Sequence, residues 1–198
     1  SNQNVGAACR NAITAAKQEY LFWQTVDWSY DLKHLRIFLE LLRYFDVVQG
    51  IRPIPVRPLS TIPFIRSFYR LPSRSDSLRK AIISLGNYYL LRFLFGVPFH
   101  DFQNVTFYPT KAIQKILLQG NSSFINPECL FKTYRNGLRY IEVPIPFIPR
   151  NKGTGKGTKF SSILGSIVEI FLNWISWGWR IKVKGLRKKD DQIFRIAE

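Results

Sequence analysis

The chain contains no methionine, not even at position 1, and only two cysteines among its 198 residues. The first absence points to a processed chain or a fragment. The second argues against a disulfide framework. Cys9 and Cys129 also lack metal-binding or redox spacing, so they read as two reduced, partly buried thiols in a cytosolic domain. Acidic residues are scarce: 13 Asp and Glu stand against 29 Lys and Arg, a formal charge of +16. Such an excess draws the chain to polyanions, whether nucleic acid, phospholipid surfaces or phosphorylated substrates. No charged-then-apolar leader opens the chain. No apolar run is long and clean enough for a comfortable membrane crossing.

Aromatic residues are plentiful, with sixteen Phe, nine Tyr and five Trp. Trp174, Trp177 and Trp179 cluster in one late segment beside basic residues. Trp next to Lys and Arg suits a membrane–water interface. Stacking on single strands would use the same residues, but no nucleic-acid motif accompanies them, and no nucleic acid is expected as a partner.

The apolar periodicity predicts helices over 5–18, 31–43, 77–95 and 127–136, and another starting at Pro109. Buried strands are predicted over 20–26, 46–52 and 139–145, with an extended stretch over 101–108. Helices and strands alternating in this way argue for a layered α/β fold. Residues 53–75 mix prolines and arginines without clear period and read as a mobile or ligand-ordered loop. Residues 160–179 form a helix with one narrow polar stripe (Ser162, Ser166, Glu169, Asn173, Ser176 and Arg180) and a wide apolar face. With Lys182, Lys184, Arg187, Lys188 and Lys189 behind it, this segment reads as an interfacial helix with a basic rim for anionic lipid. The alternative is a helix docked on its own domain or on a partner.

Several short motifs carry chemistry. Asp27-Trp-Ser-Tyr-Asp31 lies where a strand gives way to a helix, the edge at which open α/β sheets bind ligands. Carboxylates there can hold a divalent cation against a diphosphate, although Asp31 would also serve as a helix N-cap. Asp46-Val-Val-Gln-Gly-Ile-Arg52 is a short strand ending in an arginine. Arg79 is followed by Ser84 and Asn87 on one helix. Gly96-Val-Pro-Phe-His-Asp101 delivers a carboxylate that is a candidate active-site group or, more plainly, a turn cap, with His100 as its structural neighbour. Tyr140-Ile-Glu-Val-Pro-Ile-Pro-Phe-Ile-Pro-Arg150 leads into Asn-Lys-Gly-Thr-Gly-Lys156. Glycines there let backbone N–H groups converge on an anion while Arg150 and Lys156 supply charge. Gly153 to Thr158 is not a P-loop, because Arg150 stands where another glycine is required and prolines replace the preceding strand.

Taken in order, these segments resemble family-2 glycosyltransferases, notably the polyprenyl (dolichyl) phosphate sugar transferases. Asn4-Val-Gly-Ala-Ala-Cys-Arg-Asn11 through Tyr20 is similar to the family's helix and strand before its aspartates. Glu142-Val-Pro, then Arg150-x-x-Gly-x-Gly-Lys156, is similar to its C-terminal signature. Two departures stand out. Ser29 replaces the second aspartate of Asp-x-Asp, and Asn104-Val-Thr-Phe107 replaces the usual Ser-Gly-Phe-Arg. The resemblance covers roughly residues 4–160.

It implies a GT-A-type, Rossmann-like fold with a mixed, mostly parallel sheet flanked by helices, incomplete at the N-terminus, and a C-terminal amphipathic helix. The implied organisation is a partial glycosyltransferase domain over 1–159 and an interfacial helix with basic tail over 160–198. The implied activity is inverting transfer of a sugar from a nucleotide-sugar donor to a membrane acceptor, polyprenyl phosphate above all, by a cytoplasmic protein peripheral at the membrane face. In that scheme Asp27 and Asp31 hold Mg²⁺ or Mn²⁺, and Arg52, Arg79, Arg150 and Lys156 bind phosphates. Asp101 positions the reacting groups, Glu142 anchors the neighbouring loop by pairing with a cation, and Glu128 favours its own helix start. The alternative is a noncatalytic, basic membrane-binding module derived from such an enzyme.

Overall fold

A computed structural model of the chain describes residues 4–24, 33, 35–52, 78–102, 105–146, 148, 160–180 and 193–195. Two strands form the centre of the sheet, β2 (Val47–Ile51) and β4 (Tyr140–Pro144). Val47, Val48, Ile51, Tyr140, Ile141 and Val143 are all buried, as inner strands covered on both faces require. β2 and β4 run parallel, in register from Val47↔Tyr140 to Ile51↔Pro144. On the other side of β2 lies β3 (Thr106–Pro109), antiparallel, with Gln49 opposite Thr106. Beyond it β1 (Tyr20–Leu21) pairs antiparallel with β3. A three-residue strand, β5 (Ile193–Arg195), adds parallel to β4, giving the order β1-β3-β2-β4-β5.

The sheet is therefore mixed, with two parallel and two antiparallel pairings among the described residues. The antiparallel member has a topological cause. By Asp101 the chain already touches Arg52, just beyond the C-terminal end of β2, and β3 begins at Thr106. A parallel strand would first have to return to the opposite edge, and too few residues remain for such a crossover.

Helices cover both faces. One face carries Val47, Tyr108 and Tyr140 and packs on α1 (Val5–Ala15), α3 (Leu78–Phe95), α4 (Thr110–Gln114) and α5 (Ile125–Arg135). The other carries Val48, Phe107, Ile141 and Val143 and packs on α2 (Leu35–Leu41) through Phe38 and on Leu42 just beyond it. Two glycines close helices in the left-handed conformation: Gly96 (φ 64°) after α3 and Gly137 (φ 85°) after α5. α5 starts at Ile125, two residues before the expected Pro127, which is accommodated because the first-turn N–H groups of a helix need no intrahelical partner. β1 is shorter than the predicted 20–26. Where its ladder stops, Phe22 stacks on Phe107 at 4.4 Å and Trp23 on Tyr108 at 5.5 Å, so ring packing replaces strand pairing.

The last long helix, α6 (Phe160–Asn173), runs into a π turn over Trp174–Gly178. It joins the main core through Ile170 and Trp177. The middle of its polar stripe, Glu169 and Asn173, is turned to the domain, while Ser176 and Arg180 are exposed. The Glu169 carboxylate accepts from the backbone N–H groups of Asn121 and Ser122. Asn173 is buried and accepts from Trp177 Nε1 at 2.9 Å, and Trp174 Nε1 donates to Leu94 O at 2.8 Å. The wide apolar face is thus left outward: Leu164, Ile167, Val168, Phe171, Leu172, Ile175 and Trp179 are 37–62 % exposed. No helix among the described residues is long and apolar enough to cross a membrane.

Gly178 permits this docking, since a Cβ there would lie 2.3 Å from Phe95 Cε1. Phe95 is fully buried and stacked on Phe131, so it has nowhere to retreat. Gly178→Val is expected to cost about 1–3 kcal/mol of overpacking, read as a lowered urea midpoint.

Burial pushes the Cys129 thiol and the Tyr108 and Tyr140 hydroxyls above their ordinary values of 9.0 and 10.0. Below those values both folded and unfolded chains keep these protons, and the stability is fully present. Above them the unfolded chain ionises while the folded one does not, so stability falls as pH rises toward the folded-state values. Urea midpoints should therefore drop between about pH 8 and about pH 10.5. Half-buried Cys9 should react with a thiol reagent before Cys129 does.

Candidate functional site

The strand directions define one edge of the sheet. β1, β2 and β4 all end there, and antiparallel β3 begins there. This is the carboxyl edge at which open α/β sheets bind ligands. Arg52 follows β2 directly, and Asp101 sits in the segment that feeds β3. Beyond β4, the Ile145 N–H donates to Ile51 O at 2.8 Å, so the chain leaves toward Arg150 from the same edge. It leaves β1 toward Asp27 from that edge too.

Arg52 and Asp101 form a two-pronged buried ion pair. Arg52 Nε donates to Asp101 Oδ2 and Nη2 to Oδ1, each at 2.7 Å. The Arg52 backbone N–H adds a bond to Oδ2 at 3.3 Å, and the Phe102 N–H one to Oδ1 at 2.9 Å. Arg52 is 7 % exposed and Asp101 1 %. A buried carboxylate needs this many donors, because the water it gave up cannot otherwise be replaced. Gln49 Nε2 holds the Asp101 carbonyl at 2.7 Å, which locks the backbone as well as the side chain. The guanidinium edge expected to meet a phosphate thus meets Asp101.

A second carboxylate lies beside the first. Glu142, fully buried on β4, accepts the His100 backbone N–H at 2.7 Å and lies 2.9 Å from its ring Nδ1. Gln49 and Glu142 are register partners on adjacent strands. Arg52, Asp101, His100 and Glu142 thus make one continuous polar cluster, and the ring of Tyr88 packs on Phe102, next to Asp101, at 5.5 Å. Burial raises the Tyr88 hydroxyl, and the nearby Arg92 opposes this; Arg92 Nη1 donates to it at 2.7 Å.

Glu142 was expected to steady the loop that follows its own strand. Among the described residues it holds His100, in the segment entering β3, while most of the loop after β4 lies outside them. Glu128 lies in the first turn of α5, as the helix-start reading expects, and its buried carboxylate also accepts the Gln119 and Gly120 N–H groups and the Lys132 ammonium. Gln49 and Tyr88 went unnoticed in sequence. A glutamine inside Val-Val-Gln-Gly-Ile was the available signal, since a polar residue in a fully buried strand demands a partner.

Asp27, Asp31, Arg150 and Lys156 lie outside the described residues, as does the side chain of Arg79, which sits in the first turn of α3. Among the described residues no group of three His, Cys, Asp or Glu side chains is placed to hold a metal ion. Asp101, with its oxygens taken by Arg52 and Phe102, is not arranged as a metal ligand. No protein-family model matches the chain, and a search of curated proteins returns no match.

Arg52→Ala leaves a buried carboxylate without its guanidinium and is expected to cost about 3–5 kcal/mol. Arg52→Met combined with Asp101→Leu removes both charges and should recover at least half of that loss, as read from urea midpoints. Equal instability of the single and the double variant would mean that the loss does not come from the stranded carboxylate.

Proposed function

We propose that this chain is an inverting, GT-A-type glycosyltransferase domain. It takes a sugar from a nucleotide donor and passes it to a polyprenyl phosphate, working as a peripheral protein at the cytoplasmic membrane face. The observation that carries the reading is the gathering of Arg52, Asp101, His100 and Glu142 at the carboxyl edge of the sheet, at which the segments bearing Asp27 and Arg150 also leave their strands. The mixed α/β sheet and the ordered motifs support it.

In this reading Asp101 is a positioning group. Its carboxylate is held by Arg52, and a phosphate acceptor is already anionic near neutral pH, so no base is needed to make it a nucleophile. The acceptor oxygen attacks the anomeric carbon opposite the departing diphosphate, and the configuration inverts. Arg79, Arg150 and Lys156 bind the phosphates of donor and acceptor. Asp27 and Asp31 would hold Mg²⁺ or Mn²⁺, whose contribution is to neutralise the leaving diphosphate. Arg52 acts by fixing Asp101, and Glu142 by fixing His100, so that the segment entering β3 presents one shape to the substrate.

The replacement of an aspartate by Ser29 and the outward apolar face of α6 favour a second reading, a noncatalytic membrane-binding module.

The test is transfer from labelled nucleotide sugars to a polyprenyl phosphate in detergent, with Mg²⁺ or Mn²⁺ present. Asp27→Ala should lower transfer about 100-fold or more, the loss of roughly 3 kcal/mol of charge stabilisation, and chelation should do the same. Transfer that survives both would refute the metal assignment. Vesicle binding without any nucleotide-sugar affinity would favour the noncatalytic module.

A further inference from the structure

We infer that α6 and the cleft beside it form a docking site for anionic phospholipid, with the helix lying in the interface and the cleft taking a headgroup phosphate. This deepens the membrane-face part of the reading above and does not depend on sugar transfer.

The first observation is how the helix is seated. An amphipathic helix on a water-soluble domain buries its apolar face and shows water its polar one. Here two polar groups of the stripe, Glu169 and Asn173, are spent on the domain beside buried Ile170 and Trp177, and most of the apolar face is left outside. Glu169 is tied to the Asn121 and Ser122 N–H groups, and Asn173 to Trp177. Rolling the helix over would strand these groups, so the outward face of Leu164, Val168, Phe171, Leu172, Ile175 and Trp179 is fixed by the fold. That is a continuous apolar ridge of the kind that marks a binding surface.

The second observation is the open cleft of about 460 Å³ on the flank of this ridge. Ser176 and Trp177 form its helix wall, while Lys115, Leu117, Arg135 and Asn136 form much of the rest. Lys115 and Arg135 are exposed and make no ion pair among the described residues. Lys132, also in the wall, is instead committed to Glu128, to Leu117 O and to the face of Trp177 at 4.6 Å. Leu117 stands 77 % exposed at the lip. Two exposed cations therefore line the same cleft as a protruding leucine and the helix residues Ser176 and Trp177. A phospholipid matches this pattern, with an anionic head above acyl chains.

Charge decides between lipid and a second copy of the chain. Each copy carries +16, so a face-to-face dimer would bring like charges together, whereas an anionic leaflet offsets them. Trp179, with the Arg180 guanidinium 5.4 Å over its ring, is the kind of amphipathic pair found at headgroup depth.

The full chain should co-sediment with phosphatidylcholine vesicles containing phosphatidylglycerol and bind pure phosphatidylcholine vesicles at least tenfold more weakly. Leu172→Asp with Ile175→Asp should abolish binding to both. Lys115→Ala with Arg135→Ala should weaken binding to the anionic vesicles about tenfold or more and leave pure phosphatidylcholine unaffected. All four positions are exposed, so near-UV circular dichroism and urea midpoints should match the parent; an apolar-face variant that fails this check is replaced by Leu172→Ser with Ile175→Ser, and a cleft variant by Lys115→Gln with Arg135→Gln. Vesicle binding unchanged in the apolar variant overturns the insertion face. Binding unchanged in the Lys115/Arg135 variant overturns the headgroup cleft. A parent chain that ignores vesicles, but sediments as a dimer that the apolar variant dissociates, assigns the face to a second copy and overturns the proposal as a whole.

Discussion

A carboxylate withdrawn from water has to be met by donors, and Asp101 is where this chain meets that demand most completely. The Arg52 fork, two backbone N–H groups and the Gln49 contact to its carbonyl leave the residue no alternative position. Coulomb attraction in a low-dielectric interior repays the desolvation only when the geometry is this full. The consequence is architectural. The pair joins the end of β2 to the segment that starts β3, and so sets both the antiparallel insertion of β3 and the shape of the sheet's carboxyl edge.

The same rule recurs at the other buried acids among the described residues. Glu142 is met by His100, and Glu128 by two backbone N–H groups and Lys132. Glu169 reaches from α6 to the loop that Glu128 also grips. That loop, around Gly120, further receives Arg10 of α1, and a Cβ on Gly6 would collide with it. Acidic side chains are few here, and these carboxylates stitch irregular backbone to regular elements. The chain as a whole keeps a large cationic excess, a formal charge of +16, which attracts anions.

Much of this was legible in the chain itself. Apolar periodicity located β2, α3, β4 and α6 within a few residues, since each carries a long or uninterrupted pattern. Gly137 closed α5 as its freedom from a Cβ allows. β1 was overestimated because Leu-Phe-Trp looks like a strand whether its rings sit in a ladder or stack beyond one. The candidate site was half legible. Arg52 and Asp101 were both singled out, but 49 residues of separation concealed that each is the other's partner. Glu142 was recognised as an anchor, and His100 as its counterpart was not.

The amphipathic pattern of α6 shows how far local information reaches. From sequence alone, the spacing of Ser166, Glu169 and Asn173 established a helix with a narrow polar stripe, because that follows from 3.6 residues per turn. Which side of the helix meets the protein is not a property of the helix. It was decided by Asn121 and Ser122 offering unsatisfied N–H groups and by Phe95 fitting only against a glycine at 178. Composition and periodicity thus determined the class of the fold and its helices and strands. Only tertiary structure decided which charges are neutralised inside and which apolar face is left for water or lipid, since pairing across long stretches of chain depends on proximity in space.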